Sequence, residues 1–183
     1  ALKEGGVHCI EVAMTTPGAL EVIDDVTDQI DDVLVGAGTV LDAETARSAI
    51  LAGAEYLVSP TTDEDMIKMA KRYDKIVAPG AFTPTEAMTA WEAGADIVKI
   101  FPASKLGPGY LSDLKAPLPQ LSLMPTGGVS QENAADFFEA GADVVCAGSA
   151  LIDEEAIDRG GYDVITENAE GLVQAVEAGR EDL

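Results

Sequence analysis

The chain has 183 residues, 47% of them hydrophobic and 24% charged, which is the size and composition of one globular domain with a real core and excludes disordered, collagen-like and low-complexity chains. The 33 Asp and Glu against 11 Lys and Arg leave a net charge of −22, and such a surface repels nucleic acid and anionic membranes, so neither is expected as a partner. No apolar run approaches the ~18 residues of a membrane helix, and two cysteines, Cys9 and Cys146, cannot build a disulfide framework, so a reducing cytoplasm fits best.

An excess of Asp and Glu over Lys suits a salt-rich cytoplasm, where salt screens self-repulsion; a halophilic enzyme is the expectation, a moderately acidic mesophilic one the alternative. The chain opens on Ala1-Leu2-Lys3-Glu4-Gly5-Gly6. This reads as the end of a helix, with neither initiator Met nor signal peptide, so a missing N-terminal piece is expected. Short apolar runs of β character follow at Val7–Val12, Val33–Gly36, Tyr56–Ser59, Ile76–Pro79, Ile97–Phe101, Leu121–Met124 and Val144–Ala147. Segments of helical spacing separate them. Pro17 suggests one helix start and Asp42 is an N-cap candidate. Thr83-Pro84-Thr85-Glu86 is a capping box with proline at the first helical position, and Ser130 suggests another start. Regular alternation of strand and helix predicts an α/β fold with a parallel sheet.

A repeat supports this. Gly53-Ala54-Glu55, Gly94-Ala95-Asp96 and Gly141-Ala142-Asp143 each follow an alanine and precede a strand, and Gly5-Gly6-Val7-His8 is a degenerate copy. Each interval holds two strand–helix units, with glycine ending the helix. Seven units are visible. One more at the N-terminus would make the eight of a (β/α)8 TIM barrel, read as a single domain over 1–183 with its first strand missing. A doubly wound open sheet is the alternative, but Gly36-Ala37-Gly38 lacks the third glycine of its dinucleotide fingerprint.

A barrel keeps its chemistry where strands end. In chain order those ends carry Glu11, Thr39, Ser59-Pro60, Pro79-Gly80, Lys99 with Phe101-Pro102, Thr126-Gly127-Gly128 and Gly148-Ser149. Lys99 is centred in the apolar strand Ile97-Val98-Lys99-Ile100-Phe101. A buried ammonium is costly unless paired or deprotonated, and a free lysine amine is the nucleophile that Schiff-base chemistry on a ketone requires. A lysine snorkelling out between helices, or held in a structural ion pair, would leave the same pattern. Glu11, in Cys9-Ile10-Glu11-Val12, is a carboxylate in an apolar strand end. It reads as a general acid/base, or else as the partner of Lys99 or of a missing arginine. A direct contact would hold the proton on the lysine, which favours an intervening water. Thr126-Gly127-Gly128 and Gly148-Ser149 fall in the late loops where backbone N–H groups bind phosphate; taken singly, each glycine pair is also what a tight turn needs.

The other motifs are bland. One histidine, two distant cysteines and no compact carboxylate cluster give no metal site. His8 is expected to pack against a helix, and Met66, Met69 and Met88 to lie in the core. Gly107-Pro108-Gly109-Tyr110 reads as a loop able to cover the site, and Asp24-Asp25, Asp31-Asp32 and Asp153-Glu154-Glu155 as solvated faces.

Ile10-Glu11-Val12, Gly36-Ala37-Gly38-Thr39-Val40, Val98-Lys99-Ile100-Phe101-Pro102-Ala103 and Pro125-Thr126-Gly127-Gly128-Val129, in this order over nearly the whole chain, resemble the class I 2-keto-3-deoxy-6-phosphogluconate (KDPG) aldolases, also called 4-hydroxy-2-oxoglutarate (KHG) aldolases. The resemblance implies a homotrimeric (β/α)8 barrel of the Entner–Doudoroff pathway. Such an enzyme splits a phosphorylated 2-keto-3-deoxy sugar acid into pyruvate and glyceraldehyde 3-phosphate, with no cofactor and no metal. It further implies Lys99 as the Schiff-base residue and Glu11 as proton carrier, both catalytic. Thr39 and Thr126 would line the pyruvate site, with Pro60 and Phe101 as its walls, and Gly127, Gly128, Gly148 and Ser149 would hold the phosphate. The gluconate-specific members carry arginine four residues after the glutamate, where this chain has Thr15. Glu11-Val-Ala-Met-Thr-Thr-Pro17 and Phe101-Pro-Ala-Ser-Lys-Leu-Gly-Pro108 look more like the 6-phosphogalactonate branch. The galactonate-derived substrate or 4-hydroxy-2-oxoglutarate is therefore the alternative, followed by a different phosphate-binding barrel enzyme or a non-catalytic phosphosugar-binding module.

Overall fold

Strand and helix alternate along most of the chain in the computed structural model, which describes residues 1–181. The elements are β1 (Cys9–Ala13), α1 (Ala19–Gln29), β2 (Leu34–Gly38), α2 (Ala43–Leu51), β3 (Tyr56–Val58), α3 (Glu64–Arg72), β4 (Ile76–Ala78), β5 (Gly80–Ala81), α4 (Pro84–Glu92), β6 (Val98–Ile100), a 3-10 turn Ala103–Lys105, α5 (Pro108–Lys115), β7 (Leu123–Pro125), α6 (Ala134–Glu139), α7 (Glu154–Asp158) and α8 (Tyr162–Glu181). They fall into two compact units, Cys9–Lys99 and Ala1–His8 with the residues from Ile100 onward.

In the Cys9–Lys99 unit, β1 to β4 lie side by side in chain order, all parallel. Parallel strands need a crossover, and a helix supplies each one. Glu11 stands beside Gly36, Gly36 beside Tyr56, and Tyr56 beside Ile76. Side-chain alternation splits the sheet into two faces. Val12, Val35, Ala37, Leu57 and Val77 pack with Ile23, Ile50, Met66 and Ile67 of α1 to α3 into one apolar cluster. Glu11, Gly36, Gly38 and Tyr56 occupy the opposite face.

Capping chemistry sets the helix starts. Asp42 accepts from the Thr45 N–H at 2.6 Å. The Thr83 hydroxyl accepts from Glu86 N–H, while the Glu86 carboxylate takes the N–H groups of Thr83 and Phe82 at 2.8 and 2.9 Å. Asp63 caps α3 in the same way through Met66 N–H. Near Pro17 the helix α1 begins at Ala19, after Gly18.

The Gly-Ala-Asp repeat acquires a physical meaning. The Asp96 carboxylate takes the Lys71 ammonium at 2.8 and 2.9 Å and the Val77 N–H at 2.9 Å. In the other unit Asp143 takes the Lys115 ammonium and the Leu123 N–H, both at 2.9 Å. Each motif thus ties a strand's first residues to a helix of the same unit. Its glycine has φ near +100° (104° and 99°), with the lysine stem lying across it. The exposed ion pair contributes little; the backbone hydrogen bond contributes more. Asp143→Ala is expected to cost about 1–3 kcal/mol by stranding the Leu123 N–H. Asp143→Asn, which keeps an acceptor oxygen, should recover most of it. Thermal unfolding followed by circular dichroism checks this, and a change within ±0.3 kcal/mol or so would dismiss the role.

In the second unit the Thr126 N–H bonds Ile100 O at 3.0 Å, and Ala103 N–H and Ser104 N–H return to Thr126 O and Gly127 O at 2.8 and 2.9 Å. The opening residues pack on α8: a Cβ on Gly5 would strike Ala169 Cβ and Thr166 O. Five expectations change. Val144–Ala147 pairs only through the single bridge Cys146–Thr126, with Val144 exposed, so no strand forms there among the described residues. Gly107–Tyr110 is the start of α5 rather than a covering loop, because Pro108 takes the first helical position, where its missing N–H costs nothing. Ser130 lies in a turn, and Asn133 is the residue before α6. His8 is exposed rather than buried. Asp153 is an N-cap, accepting from Ala156 N–H at 2.8 Å, not merely a solvated charge.

Candidate active site

Among the described residues the buried polar or charged side chains are Ser59, at 0% exposure, and Lys99, at 6%. Lys99 sits in the middle of β6 between Val98 and Ile100, both buried, and its backbone N–H bonds Pro79 O at 2.9 Å. At that exposure it does not snorkel to solvent.

Glu11 belongs to the same unit. Its carboxylate leans from β1 over Gly38: a Cβ there would overlap Oε1, Cδ and Cγ of Glu11. Burial pushes the Glu11 carboxyl above the usual carboxylate range, and the positive charge of Lys99 pulls part of the way back. The lysine and carboxylate singled out by sequence therefore lie within each other's electrostatic reach. A carboxyl held partly toward its neutral form, beside a buried amine, has the makings of an acid/base pair.

The ends of the neighbouring strands are braced. Thr39 follows β2 with φ +55°. Pro60 follows Ser59 at the end of β3, and a Cβ on Gly80 would strike the Pro60 carbonyl. Thr62 Oγ1 donates to Gly80 O at 2.9 Å, Gly80 N–H donates to Thr61 O at 3.1 Å, and Thr61 N–H donates to the Ser59 hydroxyl at 3.2 Å. Thr15 is exposed just past β1.

In the other unit β7 ends at Pro125, and Thr126 leads into two glycines at φ +87° and +81°. A Cβ on Gly127 would stand 3.3 Å from the Phe101 ring, and one on Gly128 2.6 Å from Ser104 Cβ. Both backbone angle and space therefore demand glycine. The Asn133 amide donates to Gly128 O at 2.9 Å and closes this turn. Because Thr126 bridges Cys146, the Gly127-Gly128 and Gly148-Ser149 turns start from neighbouring stretches of backbone. Gly148 and Ser149 are exposed, and Gly148 O accepts from Leu151 and Ile152 N–H at 2.9 and 3.1 Å. Successive glycines at positive φ are the backbone geometry from which a turn can offer amides to an anion.

Ser59 was named only as a strand end, and Tyr56 and the shared face of Gly36 and Gly38 were not singled out. The period-two spacing Gly36-x-Gly38 was the available signal. Among the described residues no group of three or more His, Cys, Asp or Glu is placed to hold a metal ion, and no helix is long and apolar enough to cross a membrane.

The family model for KDPG and KHG aldolase matches residues 1–168. The 2-dehydro-3-deoxy-6-phosphogalactonate aldolase of Escherichia coli (strain K12) is 39% identical over 153 residues, which cover 82% of this chain and 73% of that protein. A solved structure described as native KDPGal aligns with TM-score 0.92 at 33% identity, over 98% of this chain and 86% of that one. The KDPG aldolase of Legionella pneumophila, captured with pyruvate as a covalent carbinolamine, aligns with TM-score 0.87 at 28% identity, over 93% and 84%.

Proposed function

Since the chain belongs to the KDPG and KHG aldolase family, with the (β/α)8-barrel fold class of that family, and is an aldolase, we propose that it cleaves 2-keto-3-deoxy-6-phosphogluconate, and its galactonate-derived epimer, into pyruvate and glyceraldehyde 3-phosphate. The observation that carries this is the pairing of a buried Lys99 with a carboxylate whose proton affinity is raised by burial and tempered by that lysine. The Lys99 amine adds to the C2 carbonyl, and loss of water leaves a protonated imine. The Glu11 carboxylate takes the C4 hydroxyl proton as the C3–C4 bond breaks, and the bonding pair moves through C3 into the iminium. The resulting enamine is reprotonated at C3 by Glu11, and hydrolysis of the imine releases pyruvate and frees the amine. Thr39 and Pro60 serve the pyruvate end of the substrate, as do Thr126 and Phe101. Gly127, Gly128, Gly148 and Ser149 take the phosphate by backbone donors, which a chain of this charge needs if the phosphate is to find local attraction. The chain acts as a single cytoplasmic domain, as a homotrimer in the Entner–Doudoroff pathway.

Two experiments test this. Pyruvate with borohydride should add mass to the peptide that contains Lys99, and a lactate dehydrogenase-coupled assay should register pyruvate release from the phosphorylated substrate. A protein that is neither labelled nor active on either epimer would leave another phosphate-binding barrel activity in its place.

Thr15 favours broad substrate use. An arginine there would offer bidentate contacts to an anionic or hydroxylated substrate, which one short hydroxyl cannot match. The protein is expected to accept both epimers, and Thr15→Arg to shift selectivity toward the gluconate form by roughly ten- to a hundredfold, the worth of one polar contact. The check is kcat/KM for both epimers in both proteins. A native preference beyond about a thousandfold, or an unmoved ratio in the variant, would remove Thr15 from the selectivity argument.

The net charge of −22 carries a further expectation. Raising KCl from dilute buffer to about 1 M shortens the Debye length from roughly 30 Å to about 3 Å. If the composition is a halophilic adaptation, Tm should climb steeply across that range; a flat or falling curve would end the halophilic reading.

A further inference from the structure

Two glycines on one strand of the Cys9–Lys99 unit serve neighbours rather than backbone. Neither Gly36 nor Gly38 has positive φ, so the chain path does not demand glycine. Space does. A Cβ on Gly36 would overlap Cε2, Cζ and Cδ2 of Tyr56, so the phenol ring lies flat across it. A Cβ on Gly38 would overlap the Glu11 carboxylate in the same way. The two positions are two residues apart on one face, hence about 7 Å along the strand. Glu11 itself pairs with Gly36 in the parallel register, and Tyr56 pairs with Gly36 from the other side. Two side chains from flanking strands thus share one glycine shelf, the ring occupying the slot next to the carboxylate.

We propose that Tyr56 is a positioning residue for Glu11: its ring, seated over Gly36, closes one side of the carboxylate to water and holds it over Gly38. β2 offers glycine beneath the carboxylate, Lys99 of β6 acts on it through its charge, and the Tyr56 ring of β3 lies over the neighbouring glycine. The direction of the Glu11 shift, upward by burial against the pull of Lys99, agrees with a carboxyl walled on one side by carbon. The inference rests on the reading of Glu11 as the proton carrier.

The test uses exchange of pyruvate methyl protons into deuterated water, followed by NMR across pH, with borohydride trapping at saturating pyruvate run in parallel. Exchange needs the carboxylate form, so its acid limb reports Glu11. Tyr56→Ala and the milder Tyr56→Leu should slow exchange roughly ten- to a hundredfold, as a displaced catalytic group does. They should also move the acid limb to lower pH, because water admitted beside the carboxylate favours its charged form. Trapping at Lys99 should persist. Tyr56→Phe keeps the ring and should restore both rate and limb. Unmoved rate and limb in Tyr56→Leu would overturn the proposal, and so would a Tyr56→Phe that behaves like Tyr56→Leu, since the hydroxyl and not the ring would then matter. Should Glu11→Gln exchange at the native rate, the proton-carrier reading itself falls, and this inference with it. A Tyr56→Leu protein that is slow and shifted beside a slow Glu11→Gln sustains both.

Discussion

Lys99→Ala is expected to lose both pyruvate labelling and substrate cleavage to the limit of detection. The reaction as proposed has no other nucleophile. An imine turns C3 into the carbon of a stabilised enamine; without it, the C3–C4 bond must break toward an ordinary ketone. Lys99→Arg should fail as completely, because guanidinium keeps its proton and cannot add to a carbonyl. Loss of fold is the competing explanation, and burial decides how to exclude it. Lys99 is 6% exposed, so Lys99→Met places an apolar chain of similar length in the same slot. Removing one member of a buried pair leaves the other charge uncompensated, so some loss of stability is expected. Lys99→Met should therefore be folded but inactive, melting lower at neutral pH and recovering as pH falls and Glu11 takes up a proton. It should also leave the Glu11 carboxyl with burial alone acting on it, and so further above the usual range, since the counterweight was the lysine charge. An active Lys99→Met, or borohydride label on another lysine, would remove the imine mechanism.

What was legible in the sequence follows from the range of the interactions involved. The caps at Asp42 and Thr83 are contained in four residues, and the structure has them as read. Lys99 was legible as an oddity because a charge in the middle of an apolar run must be paired, deprotonated or led out to solvent, and its burial at 6% exposure is against the last of these. Glu11 was legible for the same reason. The last strand was not. Val144–Ala147 has the right residues, but pairing depends on a partner edge, and only Cys146 meets one. Gly107–Tyr110 misled because two glycines and a proline look like a loop, whereas proline at the first helical position is equally a helix start. The Gly-Ala-Asp repeat was legible as a repeat but not as a tie. That its aspartate holds a backbone N–H twenty residues away (Leu123 from Asp143) is a tertiary fact. Tyr56 was invisible for the same reason: its meaning comes from the absence of a side chain on the next strand.

Glu11→Gln is expected to fold and to slow turnover by about 10²–10⁴, the scale for a lost general acid/base. Proton exchange at the pyruvate methyl should slow with it, while imine trapping at Lys99 continues, because adding the amine to the carbonyl does not need this carboxylate. The stability of the variant carries a second, independent sign. The Glu11 carboxyl lies above its ordinary value in the folded protein, burial outweighing the Lys99 charge. A carboxyl raised on folding contributes fully below its unfolded value, and that contribution is lost as pH rises through the folded value. At neutral pH the native protein therefore holds a carboxylate it would more cheaply hold neutral. Glutamine, uncharged throughout, is free of that cost. Glu11→Gln should thus be as stable as the native protein or more so at pH 7, and the difference should shrink as pH falls into the carboxylate range. Denaturant midpoints measured at both pH values read it directly. A variant that is slow but less stable at pH 7 would show that the Lys99 attraction, and not burial, dominates at Glu11, and the site would then be an ion pair before it is an acid/base pair.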